Sequence, residues 1–346
     1  MLNVYGLALF AYLASAGLAG WLSERLRDSR LMDIPVARSS HEYPRPKGGG
    51  LAIVSVWSVC GAALLLTGVL NTPVFLAAIG LSAIIGAAGF LDDLRFVSLQ
   101  FRLATQIVVC IVALGLIGGA PPLTFGPIII DLGWGQQILA VLFLVWFINL
   151  YNFMDGIDGL AASEALVVLF PAAAFAALYG LNEAAFALPL IGACAAGGFL
   201  AWNFSPARIF LGSVGSEFLG FIIALLALLF AQQNSALFWS ILILAGAFIS
   251  DATVTLMTRL LRKENILQPH KTHAYQYLAR HLGGHGRATM VYALVGCGWL
   301  APWASFAASG IASPPVALCA AYAPLLVGVV GYRAWRGAAE RLTGNA

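Results

Sequence analysis

The chain has 346 residues, 61% of them hydrophobic and only 10% charged, where a soluble protein carries roughly 25% charged residues. Too little polar surface remains to solvate a globule of this size, so the economical reading is one all-α polytopic membrane domain over residues 1–346. The net charge of +3 comes from basic residues gathered in a few connections. They suit anionic phosphates or lipid headgroups, and no basic stripe interleaved with aromatics speaks for nucleic acid.

Apolar runs of the length that crosses a bilayer as a helix recur along the chain. They predict eleven spans, near 2–22, 50–70, 74–91, 103–119, 136–153, 160–179, 184–202, 214–231, 236–257, 289–309 and 314–333. The connections after spans two, four, six, eight and ten contain no Lys or Arg. The basic residues lie in the other connections and in the tail with Arg333, Arg336 and Arg341. The positive-inside rule then sets the N-terminus outside and the C-terminus in the cytoplasm. The inner connections are the longer ones, which directs attention to the segments near 23–49, 92–102, 153–160, 203–213 and 258–288. The charges of the first run lie after it, so it is expected to stay as a membrane helix. Cys60, Cys110, Cys194, Cys297 and Cys319 fall in apolar runs without a CxxC pair and read as buried hydrophobes. No internal repeat of the kind found in duplicated transporters is evident.

Several constellations could carry chemistry, taken in chain order. Lys47 and Gly48 to Gly50 open span two. They could lay backbone and one ammonium along a phosphate, or form a flexible entry. Asp92 and Asp93 end span three, where neighbours on a helix point apart. A division of labour fits them: one carboxylate on a metal or acting as a base, the other on a basic neighbour such as Arg95 or Arg102. A plain solvated helix end is the alternative. Asn149, Asn152, Asp155 and Asp158 recur every third residue where span five meets span six. If helical, they form one polar stripe, costly at membrane depth unless paired or functional. Gly212, Ser213, Gly215 and Ser216 stand at the mouth of span eight, where backbone N–H groups could bind an anion, or small residues could serve close packing. Asp251 lies inside span nine, which marks a function or a pairing with a neighbouring helix. His270, Lys271 and His273 follow in the long inner loop. The two histidines share a face if helical and could donate to phosphate, although no third ligand supports zinc.

Together these motifs, in this order, resemble the polyprenyl-phosphate N-acetylhexosamine-1-phosphate transferase superfamily over roughly residues 30–290. Eleven spans look like the branch that starts O-antigen and related surface glycans. The resemblance implies transfer of a sugar-1-phosphate from a UDP-N-acetylhexosamine to undecaprenyl phosphate, with release of UMP and a need for Mg²⁺ or Mn²⁺. The setting implied is the bacterial inner membrane, with the site on its cytoplasmic side, in contact with membrane lipids; a homodimer is compatible with it. Carried onto this chain, Asp92 is the candidate base or lipid-phosphate orienting residue, with Asp93 as its partner. Asn149, Asn152, Asp155 and Asp158 match the nucleotide and metal stripe, with Asp93 and Asp155 as metal-binding carboxylates. His270, His273, Lys47 and Arg102 would hold phosphates.

One departure stands out. The family usually reads Gly-Asp-x-Gly-Ser where this chain has Gly212, Ser213, Val214, Gly215 and Ser216. Ser213 thus occupies the position of a metal-binding Asp, and a neutral hydroxyl is a weaker ligand for Mg²⁺. The favoured reading is an inactive form; the other is a rebuilt metal site, with Glu217 one turn later as a substitute. Two further classes compete: a transporter or flippase for an anionic lipid or nucleotide sugar, and an inactive scaffold. A transporter predicts ionisable residues deep in several helices, and Asp251 is the clear one by sequence.

Overall fold

The computed structural model describes residues 3–35, 43–95, 97–126, 128–265 and 271–342. The predicted His270 lies outside the described residues. The architecture is all-α, with two short antiparallel ribbons, Met32–Asp33 with Arg45–Pro46 and Leu123–Phe125 with Ile128–Ile130.

Spans one to eight are Val4–Arg25, Gly50–Leu66, Thr72–Leu94, Leu99–Leu116, Trp134–Met154, Leu160–Leu178, Glu183–Asn203 and Ser213–Gln233. Span nine is two helices, Ser235–Leu244 and Gly246–Leu261, bent by 66°. Spans ten and eleven are His285–Ser309 and Pro314–Gly331. Among the described residues, nine helices pass as membrane-long and apolar, and the bent pair makes a tenth. The apolar helix Gly50–Leu66, with 17 residues, brings the number to the eleven expected.

The facing ends of spans three and four differ from expectation, and the cause is polar. Spans three and four run on to Leu94 and begin at Leu99, leaving a short turn where a longer loop was expected. Asp92 Oδ1 accepts the Val97 N–H at 3.3 Å, and the Ser98 hydroxyl caps the next helix by accepting the Phe101 N–H. Hydropathy cannot see such ends, because capping is done by residues it scores as loop. The long connection after span nine also contains a helix, Ala274–His281, here the loop helix.

Span eight is the axis of the bundle, buried along nearly its whole length. It packs against spans two, three and five at positions that admit no side chain. A Cβ on Gly50 would overlap the backbone of Gly215, and one on Gly220 would strike the Phe147 carbonyl. Close backbone approach through small residues is how helices associate where lipid removes the hydrophobic drive between them. Trp57 fills the space beside this contact, stacking edge-on with Phe218 and donating its Nε1–H to the Ala78 carbonyl at 2.9 Å. The ends of spans three and five are thereby held against the start of span eight.

Candidate active site

The entry to span two is pinned to the segment before span eight. Phe210 N–H donates to the Pro46 carbonyl, and Gly49 and Gly50 donate to Phe210 and Leu211, each at 2.9 Å. The glycine run is therefore a fixed edge, and these two N–H groups are not available to a phosphate. Gly212 then turns the chain with φ +75°, a left-handed value that favours glycine. At the helix that follows, Asp93 accepts the N–H of Ser213 at 3.1 Å and of Val214 at 3.2 Å. The first N–H groups of a helix lack internal partners and favour negative charge. The anion expected at this N-terminus is thus already present as a side chain from span three.

Asp155 lies beside this cap. Span five ends at Met154, so Asp155 and Asp158 stand beyond the helix and the expected four-residue stripe is broken there. Asn152, still helical, accepts the Ser216 hydroxyl at 3.2 Å. Burial pushes the Asp155 carboxyl up to about 7, the charge of Asp93 adds to the rise, and Lys47 and the Gly212 N–H offset part of it. Lys47 itself pairs with Asp33 at 3.2 Å. The corner therefore holds two close carboxylates against one shared ammonium and is short of positive charge.

Such a corner fits a hard divalent cation in part. Mg²⁺ is commonly held by one or two carboxylates and completes its shell with water and substrate phosphates. Asp155 and Asp93 would supply the carboxylates, with the Ser213 hydroxyl as a neutral donor. Among the described residues no three His, Cys, Asp or Glu side chains gather into a full ligand set.

Three residues beyond Asp155, Asp158 lines a cleft of about 510 Å³ together with Phe210, Arg45, Lys271, Arg280 and His285, among others. Asp158 Oδ2 accepts the Ala207 N–H at 3.1 Å, and Oδ1 lies 3.0 Å from His285 Nδ1. Burial opposes the charge on Asp158, but His285 and the Ala207 N–H outweigh it and hold the carboxyl below the ordinary aspartate value. The loop helix is docked here through Tyr275, whose hydroxyl donates to the Phe153 carbonyl at 3.1 Å. Glycine at position 156 leaves room for it, since a Cβ there would occupy the position of the Tyr275 hydroxyl.

The structure brings Lys47, Asp93, Asp155 and Ser213 to one corner and Asp158 to the adjoining cleft. It turns other predicted residues inward. Arg102 Nη1 pairs with Asp92 at 3.0 Å and its Nε lies 3.5 Å from Glu217, so Arg102 is no open phosphate ligand. Asp92 is correspondingly the carboxylate given to a basic neighbour. Asn149 donates to Gln106 at 2.8 Å, and Gln106 donates to Glu217 at 3.2 Å. Asn149 thus belongs to an internal chain across spans three, four, five and eight. Glu217 is fully buried in that chain, so the expectation that it stands in as a metal ligand for position 213 is not met. His273 is only 2% exposed, stands at the N-cap of the loop helix, and sits with its Nδ1 3.4 Å from Asp251. Glu164, buried in span six, joins Asp251 and Glu217 as an ionisable residue inside the bundle, more than sequence suggested. His285 and Gln106 were missed altogether; a histidine opening span ten after two glycines was the available signal for the first.

The family model for glycosyl transferase family 4 matches residues 75–231, which contain the Asp92–Asp93 pair, the Asn/Asp stripe and the Ser213 turn. The chain is 34% identical over 270 residues to a probable undecaprenyl-phosphate N-acetylglucosaminyl 1-phosphate transferase of Bacillus subtilis, covering 77% of this chain and 74% of that protein. It is 28% identical over 269 residues to the undecaprenyl-phosphate alpha-N-acetylglucosaminyl 1-phosphate transferase of Thermotoga maritima, covering 77% and 79%. A phospho-N-acetylmuramoyl-pentapeptide-transferase of Shouchella clausii matches at 34% identity over 227 residues, covering 60% and 66%. On the Bacillus match, long in both chains, and on the motifs it spans, the chain belongs to glycosyl transferase family 4, within the superfamily of polyprenyl-phosphate N-acetylhexosamine-1-phosphate transferases.

Proposed function

We propose that the protein transfers N-acetylhexosamine-1-phosphate from a UDP-sugar to undecaprenyl phosphate, releasing UMP and forming a polyprenyl-diphospho-sugar. The observation that carries this reading is the electron-rich corner of Asp93 and Asp155 beside a cleft lined by Arg45, Lys271 and Arg280. A nucleoside diphosphate needs both features: cationic side chains along the phosphates and a metal-binding end at the scissile bond. Phe210 offers an aromatic face for the base. A bound Mg²⁺ would neutralise charge on the diphosphate as the acceptor phosphate approaches. Asp93, anchored on the N-terminus of span eight, orients the corner; Asp155 is its metal-facing carboxylate; Lys47 is placed to meet a phosphate oxygen. Asp92 acts through Arg102.

The setting proposed is the bacterial inner membrane, with the corner on the cytoplasmic side, supported by the basic residues in its connections. Eleven spans support a place at the first membrane step of O-antigen or a related surface glycan. Ser213 leaves the corner one carboxylate short, and we propose that the chain as it stands is an inactive or strongly weakened form. The direct test is incubation of the purified protein with undecaprenyl phosphate, Mg²⁺ and UDP-N-acetylglucosamine, beside Ser213→Asp. The transferase reading expects UMP and a lipid-linked sugar diphosphate in equal amounts, at least in the Asp variant. A carrier would yield neither, and that result sinks the reading.

A further inference from the structure

Asp251 is fully buried in the second half of the bent span nine, one of the carboxylates, with Glu164 and Glu217, that lie inside the bundle. It is saturated with donors. Oδ1 accepts the Ala274 N–H at 2.8 Å and the Thr255 hydroxyl at 3.1 Å; Oδ2 accepts the Tyr275 N–H at 2.9 Å and the Tyr292 hydroxyl at 2.7 Å. His273 Nδ1 lies a further 3.4 Å away. Two of these donors are the first N–H groups of the loop helix, which would otherwise be unpaired inside the bundle. A third comes from span ten. One carboxylate thus joins span nine, the loop helix and span ten.

The loop helix faces the cleft. Lys271, just before it, and Gln276 and Arg280, within it, all line that cavity. Arg280 also folds back to donate to the Lys271 carbonyl at 3.3 Å, which links the two cationic residues. The far end of the same segment is held by His285 on Asp158. Its position over the cleft therefore depends on an anchor at each end, and the anchor at the start lies within the membrane bundle.

We propose that Asp251 is a positioning residue for the nucleotide end of the site: it holds the loop helix where Lys271, Gln276 and Arg280 meet the phosphates and sugar of the donor. This rests on reading the cleft as the nucleotide-sugar site. Asp251 touches no substrate. It acts by capping, and the bend of span nine delivers it beneath the helix it caps. A carboxylate suits this position because it accepts from all of these donors at once, whereas an amide brings N–H groups of its own and must turn one toward them.

The test uses the full-length protein in detergent or nanodiscs with Asp251→Asn, and Tyr292→Phe as a milder variant that removes a single donor. Three quantities are read: amide hydrogen exchange across residues 271–284, the Kd for UMP and UDP-N-acetylglucosamine, and the Kd for undecaprenyl phosphate. Asp251→Asn should speed exchange in that segment alone and weaken nucleotide binding by about tenfold, leaving lipid-phosphate binding within about twofold. Tyr292→Phe should do the same to a smaller degree, and decides the matter if the Asn variant does not fold. Unchanged exchange in a folded variant, or equal weakening of both ligands, overturns the proposal. If the wild-type protein binds no uridine nucleotide, the reading of the cleft fails and the ligand half of this inference fails with it. The exchange result then still decides whether Asp251 holds the helix.

Discussion

At the scale of single residues, the corner is governed by charge that is not balanced. Asp155 carries a carboxyl held near 7 by burial and by Asp93, with Lys47 as the shared cation. A divalent ion competes with the proton for that group. Below its pKa the carboxyl is neutral and a poor ligand; above it the charge is available. Mg²⁺-dependent stabilisation against heat should therefore grow from about pH 6 to about pH 8 and lose that pH dependence in Asp155→Asn. An equal Mg²⁺ effect at both pH values would remove Asp155 as the metal-facing group. Gly156 tests the other side of the same turn. Gly156→Ala places a methyl group on the Tyr275 hydroxyl and should cost about 1–3 kcal/mol of overpacking. The loop helix should loosen with it, seen as faster hydrogen exchange at 274–281. Retained exchange and stability would mean that Tyr275 swings aside freely.

At the scale of elements, spans three and eight are joined by two clamps. Asp93 caps span eight directly, while Asp92 reaches it through Arg102 and the buried Glu217. Arg102→Ala leaves two carboxylates without their cation, one of them fully buried. Losing one partner of a buried ion pair costs about 3–5 kcal/mol, so a marked fall in Tm is expected, with Glu217→Gln restoring part of it by removing one of the stranded charges. A double variant no better than Arg102→Ala would show that Glu217 is not the stranded group. This element scale is also where sequence reading ran out. Asn149 and Asn152 share the same spacing and the same helix, yet one serves the internal chain to Gln106 and the other faces Ser216. Spacing places residues on a helix; it does not say which neighbouring helix each side will meet. The stripe argument also assumed continued helix, and span five ends before Asp155. The same holds for His273, whose position in a conspicuous motif suggested a ligand, while Asp251, distant in sequence, draws it inward.

At the scale of the whole molecule, the sequence was far more legible. Eleven apolar runs and an alternation of basic and uncharged connections follow directly from the cost of placing charge in lipid, and such costs act on each segment by itself. The carboxylates of the corner were noticeable in the sequence as an acidic pair and a polar stripe at span ends, although without the family resemblance a plain solvated helix end remained open for the pair. His285 was not, since its importance arises only when the start of span ten reaches Asp158. The assembled molecule presents a corner of carboxylates and a cleft with cationic residues at the ends of its spans, the arrangement on which the proposed metal-assisted transfer rests. The most direct measurement is UMP release from UDP-N-acetylhexosamines in the presence of undecaprenyl phosphate and Mg²⁺, comparing the protein with Ser213→Asp. The account predicts UMP release that appears or rises steeply when the carboxylate is supplied; no release from either protein across a panel of UDP-sugars would contradict it.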